Sequence, residues 1–426
     1  MTELRAAAAG GERVEFHGAV HAVRDMGGFS FLLVRIPDGV VQCTMDAAGL
    51  PDGLAEECCV AVGGTARAED RAPGGVEIAV DELRILSRPS AGMPVPVNKW
   101  KTGAALETEL ALRPLTLRNT RERAVFRIQS EIVRGFRDFL HGEGFIEVHT
   151  PKIVSASAEG GANVFRLDYF GRKAFLAQSP QFYKQMMVGV YERVFEVGPV
   201  FRAEKHNTVR HLNEYVSLDF EMGYIRDFSD LCGMETAMLR FVFDRLRAES
   251  ADDLRTMGVE LPVIDAIPMV RFDEAKRAAA EAYGRRIRDP YDLEPEEEVL
   301  IGRYYKEKTG SDFVFVTHYP TKKRPFYAMD DPADPRFTLS FDLLFRGMEV
   351  TTGGQRIHDY GEQVAKMRAK NLDPEDFTDY LMIHKHGMPP HGGLGIGLER
   401  LCMKLFDMPN VRRASLFPRD LNRLTP

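Results

Sequence analysis

The segment VFRAEKHNTVRHLNEYVSLDFE, residues 200–221, decides the fold class of the longer part of the chain. Two apolar strands flank a polar stretch, which predicts an antiparallel hairpin. Because side chains alternate along a strand, we expect Arg202 and Glu204 on one face of the first strand. Charged groups on an inner face are costly to bury without partners. The hairpin is therefore either part of a ligand site or a surface hairpin with salt bridges.

The elements around this hairpin predict two domains joined by a hinge. Five short strands with turn signals between them, in residues 13–87, indicate a small β-barrel or sandwich, and a barrel of the oligonucleotide-binding (OB) type is one candidate. Several prolines mark a hinge over 89–118, between a barrel domain at 1–88 and a larger domain at 119–426. Strands and helices mix without strict alternation in the larger domain, which predicts an α+β fold with an antiparallel sheet and flanking helices.

Composition excludes several classes of protein. The 426 residues are 44% hydrophobic and 28% charged, so wholesale disorder is not expected. No apolar run approaches the roughly 20 residues of a membrane span, and five cysteines form no C-x-x-C pair. We therefore expect a cytoplasmic protein without a structural zinc site. A net charge of −7 excludes a general polyanion binder, so any nucleic-acid contact must use a local patch.

A second informative segment is FDLLFRGMEVTTGGQRIHDY, residues 341–360. Asp342 and Glu349, on a strand with a kink between them, can point into one site together with the hydroxyl of Thr352. Carboxylates and a hydroxyl suit a hard cation with oxygen ligands. Arg356 adds a planar fork that matches a carboxylate. The alternative is a glycine-bearing edge strand with ordinary surface charges.

Two further segments supply anion-binding and polar groups. GGLGIGLERL, residues 392–401, predicts a glycine-rich strand that exposes backbone donors to an anion and runs into a helix with Arg400 in its first turn. AFLAQSPQFYKQMM, residues 174–187, places Gln178, Ser179, Gln181 and Lys184 around one turn. Strand–helix packing and a helix capped by Ser179 are the structural alternatives.

Together these segments resemble class II aminoacyl-tRNA synthetases of subclass b. GFIEVHTPKI (144–153) is similar to the first motif of that class, a dimer-interface helix and strand. FRAE with its hairpin is similar to the second motif, and GLGIGLER to the third. Within the subclass, the likeness is closest to aspartyl-tRNA synthetases of the archaeal and eukaryotic type, on RAEKHNTVRHLNE, QSPQFYKQ, SFDLLFRGMEVTTGGQR and LFPRDLNRLTP.

The resemblance implies ATP-dependent activation of L-aspartate to aspartyl-adenylate, transfer to tRNA(Asp), Mg²⁺ as cofactor and a homodimer. The implied ATP-binding residues are Arg202, Glu204, Arg210, His211, Tyr215, Glu349 and Arg400, with Arg202 and Arg400 as catalytic residues. The implied aspartate-binding residues are Glu159, Ser179, Gln181, Lys184, Asp219, Thr352 and Arg356. The implied metal ligands are Asp342, Glu349 and Thr352. Ala158 departs from the threonine that the family commonly has in its mobile loop.

The barrel is implied to bind the tRNA anticodon through Arg24, Phe31, Gln42 and Glu77, with Phe31 stacked on a base. The alternative is that Phe31 belongs to the barrel core and the other three are ordinary surface residues. His21 and Pro73 resemble the relaxed type in this family, which accepts the third anticodon base of tRNA(Asn) as well as that of tRNA(Asp). We therefore expect both tRNAs to be aspartylated.

Three alternatives remain open from the sequence: an asparaginyl-tRNA synthetase, a tRNA-independent amide ligase of the asparagine synthetase type, and a non-catalytic nucleic-acid-binding paralogue. Lys184 argues against the first, because asparaginyl relatives usually lack a lysine there. The barrel argues against the second, since a small-molecule ligase needs no anticodon reader. The joint presence of Arg202, Glu349 and Arg400 argues against the third.

Overall fold

The computed structural model describes residues 1–155, 163–205 and 208–426. The chain forms two compact units, Met1–Arg123 and Ala124–Pro426. Within the described ranges, no helix is both long and apolar enough to cross a membrane.

The first unit is built on a closed five-stranded barrel with the strand order β1-β2-β3-β5-β4. The strands are β1 (Arg13–Asp25), β2 (Phe29–Ile36), β3 (Gly39–Asp46), β4 (Cys59–Ala68) and β5 (Val76–Ser87). The helices of this unit are α1 (Thr2–Gly10), α2 (Leu106–Ala111) and α3 (Arg113–Thr116), and α4 (Thr120–Gly142) begins at its end. The predicted barrel is thus confirmed, whereas α1 was not predicted.

Alternation along β2 separates the core of the barrel from its outer face. Leu32 and Val34 are fully buried in the core, while Phe31 next to Leu32 is half-buried. The ring of Phe31 packs edge-on against Phe29, with centroids 5.3 Å apart. Phe31 therefore lies on the outer face of the barrel and not in its core. Stacking on a base requires this position.

The second unit is built on an eight-stranded sheet with the order β12-β13-β16-β17-β18-β11-β10-β6. Its strands are β6 (Ile146–Glu147), β10 (Arg193–Phe201), β11 (Glu214–Gly223), β12 (Met269–Arg271), β13 (Phe313–Thr317), β16 (Ser340–Phe345), β17 (Met348–Arg356) and β18 (His391–Gly397). The smaller sheets use β7 (Ile153–Val154), β8 (Arg166–Tyr169), β9 (Arg172–Leu176), β14 (Asp330–Asp331) and β15 (Asp334–Thr338). The central pairs are antiparallel and the two edge pairs, β12–β13 and β6–β10, are parallel.

Further helices of the second unit follow α4. They are α5 (Gln181–Tyr191), α6 (Ser229–Glu249), α7 (Ala251–Met257), α8 (Phe272–Tyr283), α9 (Pro295–Thr309), α10 (Tyr360–Ala369), α11 (Thr378–His386) and α12 (Leu398–Leu405). The main hydrophobic core lies between the sheet and helices α4, α6, α7 and α12. The predicted start of α9 is correct: Pro295 occupies its first turn, and Glu294 with Glu297 forms a capping box. The predicted α+β class with an antiparallel sheet is confirmed.

Candidate active site

A cavity of about 770 Å³ opens over strands β11, β17 and β18 of the second unit. Fourteen predicted site residues line it: Ser179, Gln181, Lys184, Arg202, Glu204, Arg210, His211, Tyr215, Asp219, Asp342, Glu349, Thr352, Arg356 and Arg400. Glu159 and Ala158 lie outside the described residues. Segments that lie far apart in the chain, from Ser179 to Arg400, therefore converge on one cavity.

The glycines of β18 make room for carboxylates on the neighbouring strand. Asp219 and Glu221 share one face of β11, and they pair with Gly395 and Gly393 of β18. A Cβ atom on Gly395 would lie 2.9 Å from Oδ1 of Asp219, and one on Gly393 would lie 2.1 Å from Oε2 of Glu221. At Gly393 and Gly395 the structure requires glycine because atoms of β11 occupy the space that a side chain would need. Anion binding by the backbone donors of this strand stays a prediction.

The deep end of the cavity holds a compact group of two cations and two carboxylates. Nζ of Lys184 donates to Oδ1 of Asp219 at 2.9 Å and lies 3.3 Å from Oε2 of Glu221. Nε of Arg356 donates to Oε1 of Glu221 at 2.9 Å. All four side chains are buried. The two predicted cations are thus brought together, and each is held by a carboxylate of β11.

Glu221 was not among the predicted site residues, although its position two residues after Asp219 on one strand face is a signal for it. Burial by itself raises the pKa of Glu221, but Arg356 and Lys184 outweigh burial and hold the pKa below its usual value. Glu221 is therefore ionised at neutral pH and fixes both cations.

The structure corrects the prediction for Arg202 and Glu204. Strand β10 ends at Phe201, so both residues lie in the following loop and not on one face of a strand. Asn213 holds this loop: its side-chain amide donates to the carbonyl oxygens of Arg202 at 2.7 Å and Glu204 at 3.2 Å. Asn213 was not among the predicted site residues. The loop still delivers Arg202 and Glu204 to the cavity.

A second correction concerns the helix start near Ser179. The helix α5 begins at Gln181 with Pro180 in the N-cap position, so Ser179 is not the cap. Ser179 and Gln181 both line the cavity, and one buried donor atom of Gln181, Nε2, has no hydrogen-bond partner in the described part of the chain. A buried unsatisfied donor at a cavity wall is typical of a position that binds a ligand.

The opposite end of the cavity is rich in arginine. Nη1 of Arg400, in the first turn of α12 as predicted, lies 3.3 Å from Oε1 of Glu349, and its Nε donates to the carbonyl oxygen of Arg210 at 3.3 Å. Burial and the neighbouring Arg400 lower the pKa of His211, so its imidazole is mostly neutral at pH 7. Guanidinium groups in a partly buried cavity match the outer phosphates of a nucleotide.

The predicted metal ligands lie on two strands of a hairpin and not on a single kinked strand. Asp342 of β16 pairs with Thr352 of β17, while Glu349 lies near the turn, next to a bulge. Oγ1 of Thr352 donates to Oε1 of Glu349 at 3.3 Å, and Arg324 lies 2.8 Å from Asp342. Burial, and secondarily the charge of Glu349, raise the pKa of Asp342 to about 6 against the opposing effect of Arg324.

These donors alone do not form a complete shell for Mg²⁺. Within the described residues, no cluster of three or more His, Cys, Asp or Glu side chains could hold a metal ion. Mg²⁺ at nucleotide sites usually takes one or two carboxylates and completes its shell with phosphate oxygens and water. Asp342 and Glu349, which repel each other in a buried site, fit that incomplete type of ligand set.

Four of the six predicted anticodon residues lie together on adjoining strands of the barrel. Arg24 pairs with Phe31 across β1 and β2, and Gln42 pairs with Glu77 across β3 and β5, where the amide of Gln42 donates to the carboxylate at 2.8 Å. These four lie on adjoining strands and are exposed or half-buried. By contrast, His21 is only 8% exposed, at the bulge of β1. Pro73 is exposed in the turn before β5.

An antiparallel sheet that carries an arginine-bearing hairpin, a carboxylate pair and a glycine-rich strand leading into an arginine-bearing helix defines a class II aminoacyl-tRNA synthetase. The chain matches the family model described as tRNA synthetases class II (D, K and N) over residues 105–421, and it belongs to that family. Residues 14–86 match the model for the OB-fold nucleic acid binding domain. The resemblance inferred from the three motifs is confirmed.

Similar proteins cover nearly the whole chain. A relative from Deinococcus radiodurans, named Aspartate--tRNA(Asp/Asn) ligase, is 49% identical, and the alignment covers 98% of this chain and 96% of the relative. A relative of the same name from Thermus thermophilus is 47% identical over 98% of this chain and 97% of its own length. The solved asparaginyl-tRNA synthetase from Pyrococcus horikoshii, complexed with asparaginyl-adenylate, is similar with a TM-score of 0.89 and 30% identity over 98% of this chain and 96% of that one.

Proposed function

We propose that this chain is an aspartate–tRNA ligase that activates L-aspartate with ATP and transfers it to both tRNA(Asp) and tRNA(Asn). Membership in the class II synthetase family provides the ATP-dependent ligase chemistry and the tRNA substrate. Two relatives at 49% and 47% identity bear the name Aspartate--tRNA(Asp/Asn) ligase, which supports this specificity.

The observation that carries the choice of amino acid is the pairing of Lys184 and Arg356 at the deep end of the cavity. Both side chains are hydrogen-bond donors without any acceptor. A β-carboxylate of aspartate can accept from both, whereas the amide group of asparagine must turn an N–H toward one of these donors. A buried donor left facing another donor loses its hydrogen bond and its solvation. The site therefore favours aspartate.

The remaining groups can place the other parts of the amino acid and ATP. Asp219 offers a carboxylate for the substrate ammonium, and Arg202 offers a fork between the substrate α-carboxylate and the α-phosphate. Tyr215 provides a ring face for adenine. The loop at Glu204 provides an acceptor for the amino group of adenine. The α-carboxylate is already ionised at neutral pH, so its attack on the α-phosphorus, with release of pyrophosphate, needs no general base.

We infer that Asp342, Glu349 and Thr352 hold Mg²⁺ together with ATP. The bound ion would supply charge neutralisation at the phosphate oxygens. Arg400, Arg210 and His211 would bind the β- and γ-phosphates and orient the pyrophosphate leaving group. The two carboxylates of the hairpin then complement the cationic wall formed by Arg400 and Arg210.

We also infer a homodimer, formed through the motif that contains Pro151. The short strand β6 lies at one edge of the eight-stranded sheet, and Ile146 on it is 43% exposed. An exposed edge strand with an apolar side chain is a surface that proteins normally cover. Light scattering after gel filtration should give twice the monomer mass of 48.0 kDa.

For the barrel, we propose that the outer face containing Phe31 binds the anticodon, with Arg24, Gln42 and Glu77 hydrogen-bonding to unstacked bases. The exposed turn at Pro73 lies before β5, the strand that carries Glu77. We propose that His21, which is buried, acts on the third base only through the shape of β1. An enzyme that accepts the third anticodon base of both tRNAs would require an amidotransferase that converts Asp-tRNA(Asn) to Asn-tRNA(Asn).

The test of this function is pyrophosphate exchange followed by charging of transcripts. Exchange should depend on aspartate and not on asparagine, and labelled aspartate should charge tRNA(Asp) and tRNA(Asn) transcripts with kcat/KM values within about tenfold of each other. Asparagine-dependent exchange would favour the asparaginyl alternative. Rejection of transcripts that carry only the asparagine anticodon would remove the relaxed specificity and leave the aspartate assignment intact.

A further inference from the structure

Helix α9 contributes a buried carboxylate, Glu298, next to the arginine-rich end of the cavity. This residue lies outside the segments 174–187, 200–221, 341–360 and 392–401 that the sequence singled out. Glu298 is 5% exposed, and both of its oxygens accept from Nη2 of Arg210, at 2.9 and 2.8 Å. Oε2 also accepts from the backbone N–H of Glu349 at 2.9 Å. One side chain therefore contacts two residues, Arg210 and Glu349, that the proposed function places in the ATP site.

These contacts close a ring of four residues. Arg400 links the other two ends, since it lies 3.3 Å from the carboxylate of Glu349 and donates to the carbonyl oxygen of Arg210 at 3.3 Å. Glu298 belongs to the first turn of α9, whose start is fixed by Pro295 and the capping box. The ring is thus tied to a well-anchored helix.

We propose that Glu298 is a positioning residue that sets the guanidinium of Arg210 and the backbone of Glu349 for the outer phosphates of ATP. The proposal rests on the ATP-binding role that the proposed function gives to Arg210 and Glu349. Glu298 must accept from a guanidinium and from a peptide N–H at once, which a carboxylate does with its two oxygens. A glutamine has one acceptor oxygen, and its NH₂ group would face one of the two donors.

The decisive variant is Glu298→Gln. Loss of one charge-assisted contact should raise KM for ATP about tenfold or more, with KM for aspartate changed less than about twofold. Equilibrium binding of Mg²⁺–ATP, measured by calorimetry without amino acid, should weaken by a similar factor. A purely structural role would change the affinity for both substrates together or change only the melting temperature.

Glu297→Gln is the matched control. Glu297 precedes Glu298 on the same helix and is also buried, but its carboxylate accepts from Lys276 at 2.7 Å and does not line the cavity. This variant should lose stability and keep the wild-type KM for ATP. Glu298→Asp is the second variant for the case that the glutamine variant does not fold. The aspartate keeps the charge but is too short for both donors, so KM for ATP should again rise.

A double-variant cycle with Arg210→Met tests the coupling. If Glu298 acts through Arg210, adding Glu298→Gln to Arg210→Met should raise KM for ATP by much less than it does in the wild type. Equal KM values for ATP in the Glu298 and Glu297 variants, or fully multiplicative effects in the cycle, would overturn the proposal. An inactive wild-type enzyme in aspartate-dependent exchange would instead overturn the proposed function, so the two failures are distinguishable.

Discussion

Nζ of Lys184 lies 2.9 Å from Oδ1 of Asp219, and both side chains are almost fully buried. A lysine that is predicted to hold the substrate carboxylate is therefore already compensated by a carboxylate of the protein. Burying one charge without the other would cost several kcal/mol, so the pair keeps the empty pocket stable. The same pair prepares the pocket for a zwitterion, because Asp219 can turn to the substrate ammonium while Lys184 turns to the β-carboxylate.

Replacing Lys184 by methionine should therefore affect stability and aspartate binding together. The variant keeps a similar side-chain length but removes the cation that contacts Asp219 and leaves Glu221 with Arg356. We expect a loss of about 3–5 kcal/mol in the free energy of unfolding. We also expect at least about a hundredfold fall in kcat/KM for aspartate in pyrophosphate exchange, because a charged contact to the substrate is lost.

Lys276→Met separates these two effects. Lys276 is also buried and is paired with Glu297 at 2.7 Å, but it does not line the cavity. This control should be destabilised to a similar degree and keep its kcat/KM for aspartate, measured well below its melting temperature. Equal losses of exchange activity in the two variants would show that Lys184 acts only through stability.

The motifs supplied the predicted residues that converge on the cavity, whereas residues that hold them in place were missed. Lys184, Arg202 and Arg400 lie in segments whose residue types already point to anion binding. Glu298 lies 88 residues away from Arg210 in the chain, and nothing in its local sequence distinguishes it from the neighbouring Glu296 and Glu297. Such partners depend on tertiary contacts that local periodicity does not contain.

Helix α1 was missed for a different reason. Its sequence is rich in alanine, and most of its apolar side chains are small. Leu4, Ala7 and Ala8 are nevertheless buried at i, i+3 and i+4 spacing and belong to the barrel core. This spacing is the signal of an amphipathic helix and would have predicted α1.

Gly393→Ala should destabilise the second unit strongly. A Cβ atom there would lie 2.2 Å from the carbonyl oxygen of Phe220 and 2.1 Å from Oε2 of Glu221, and a backbone atom cannot move aside cheaply. We expect a loss of at least about 3 kcal/mol, measured by urea unfolding.

Gly233→Ala is the control for this prediction, because Gly233 lies within α6 and a Cβ atom added there would have no neighbouring atom within 4 Å. Alanine at this position should stabilise the protein by about 0.5–1 kcal/mol. A Gly393 variant as stable as the wild type would show that β11 and β18 can separate without cost.

Phe31→Ala should reduce charging of tRNA and leave amino-acid activation unchanged. Stacking of a base on an aromatic ring contributes about 1–3 kcal/mol, which corresponds to about a 5- to 150-fold fall in kcat/KM for tRNA(Asp). Pyrophosphate exchange without tRNA should stay at the wild-type rate. Leu86→Ala is the control, because Leu86 is 45% exposed on β5, and it should leave both reactions unchanged. If the alanine variant at position 31 charges tRNA normally, the anticodon does not stack on this ring.

Glu235 should make the stability of the protein depend on pH. It is fully buried on α6 and accepts a hydrogen bond from Oγ1 of Thr351 at 2.5 Å, and burial raises the pKa of its carboxyl group to about 8. Because the folded pKa is above the unfolded one, the folded state binds more protons. The stabilisation is complete below the unfolded pKa near 4.5 and is lost as pH rises through about 8.

Glu235→Gln resembles the protonated form at every pH, so its advantage over the wild type should grow by about 3–4 kcal/mol between about pH 5 and about pH 8.5. Glu249→Gln, an exposed position on the same helix, should follow the wild-type profile. Parallel curves of unfolding free energy against pH for the wild type and Glu235→Gln would mean that Glu235 is ionised in the folded protein across this whole range.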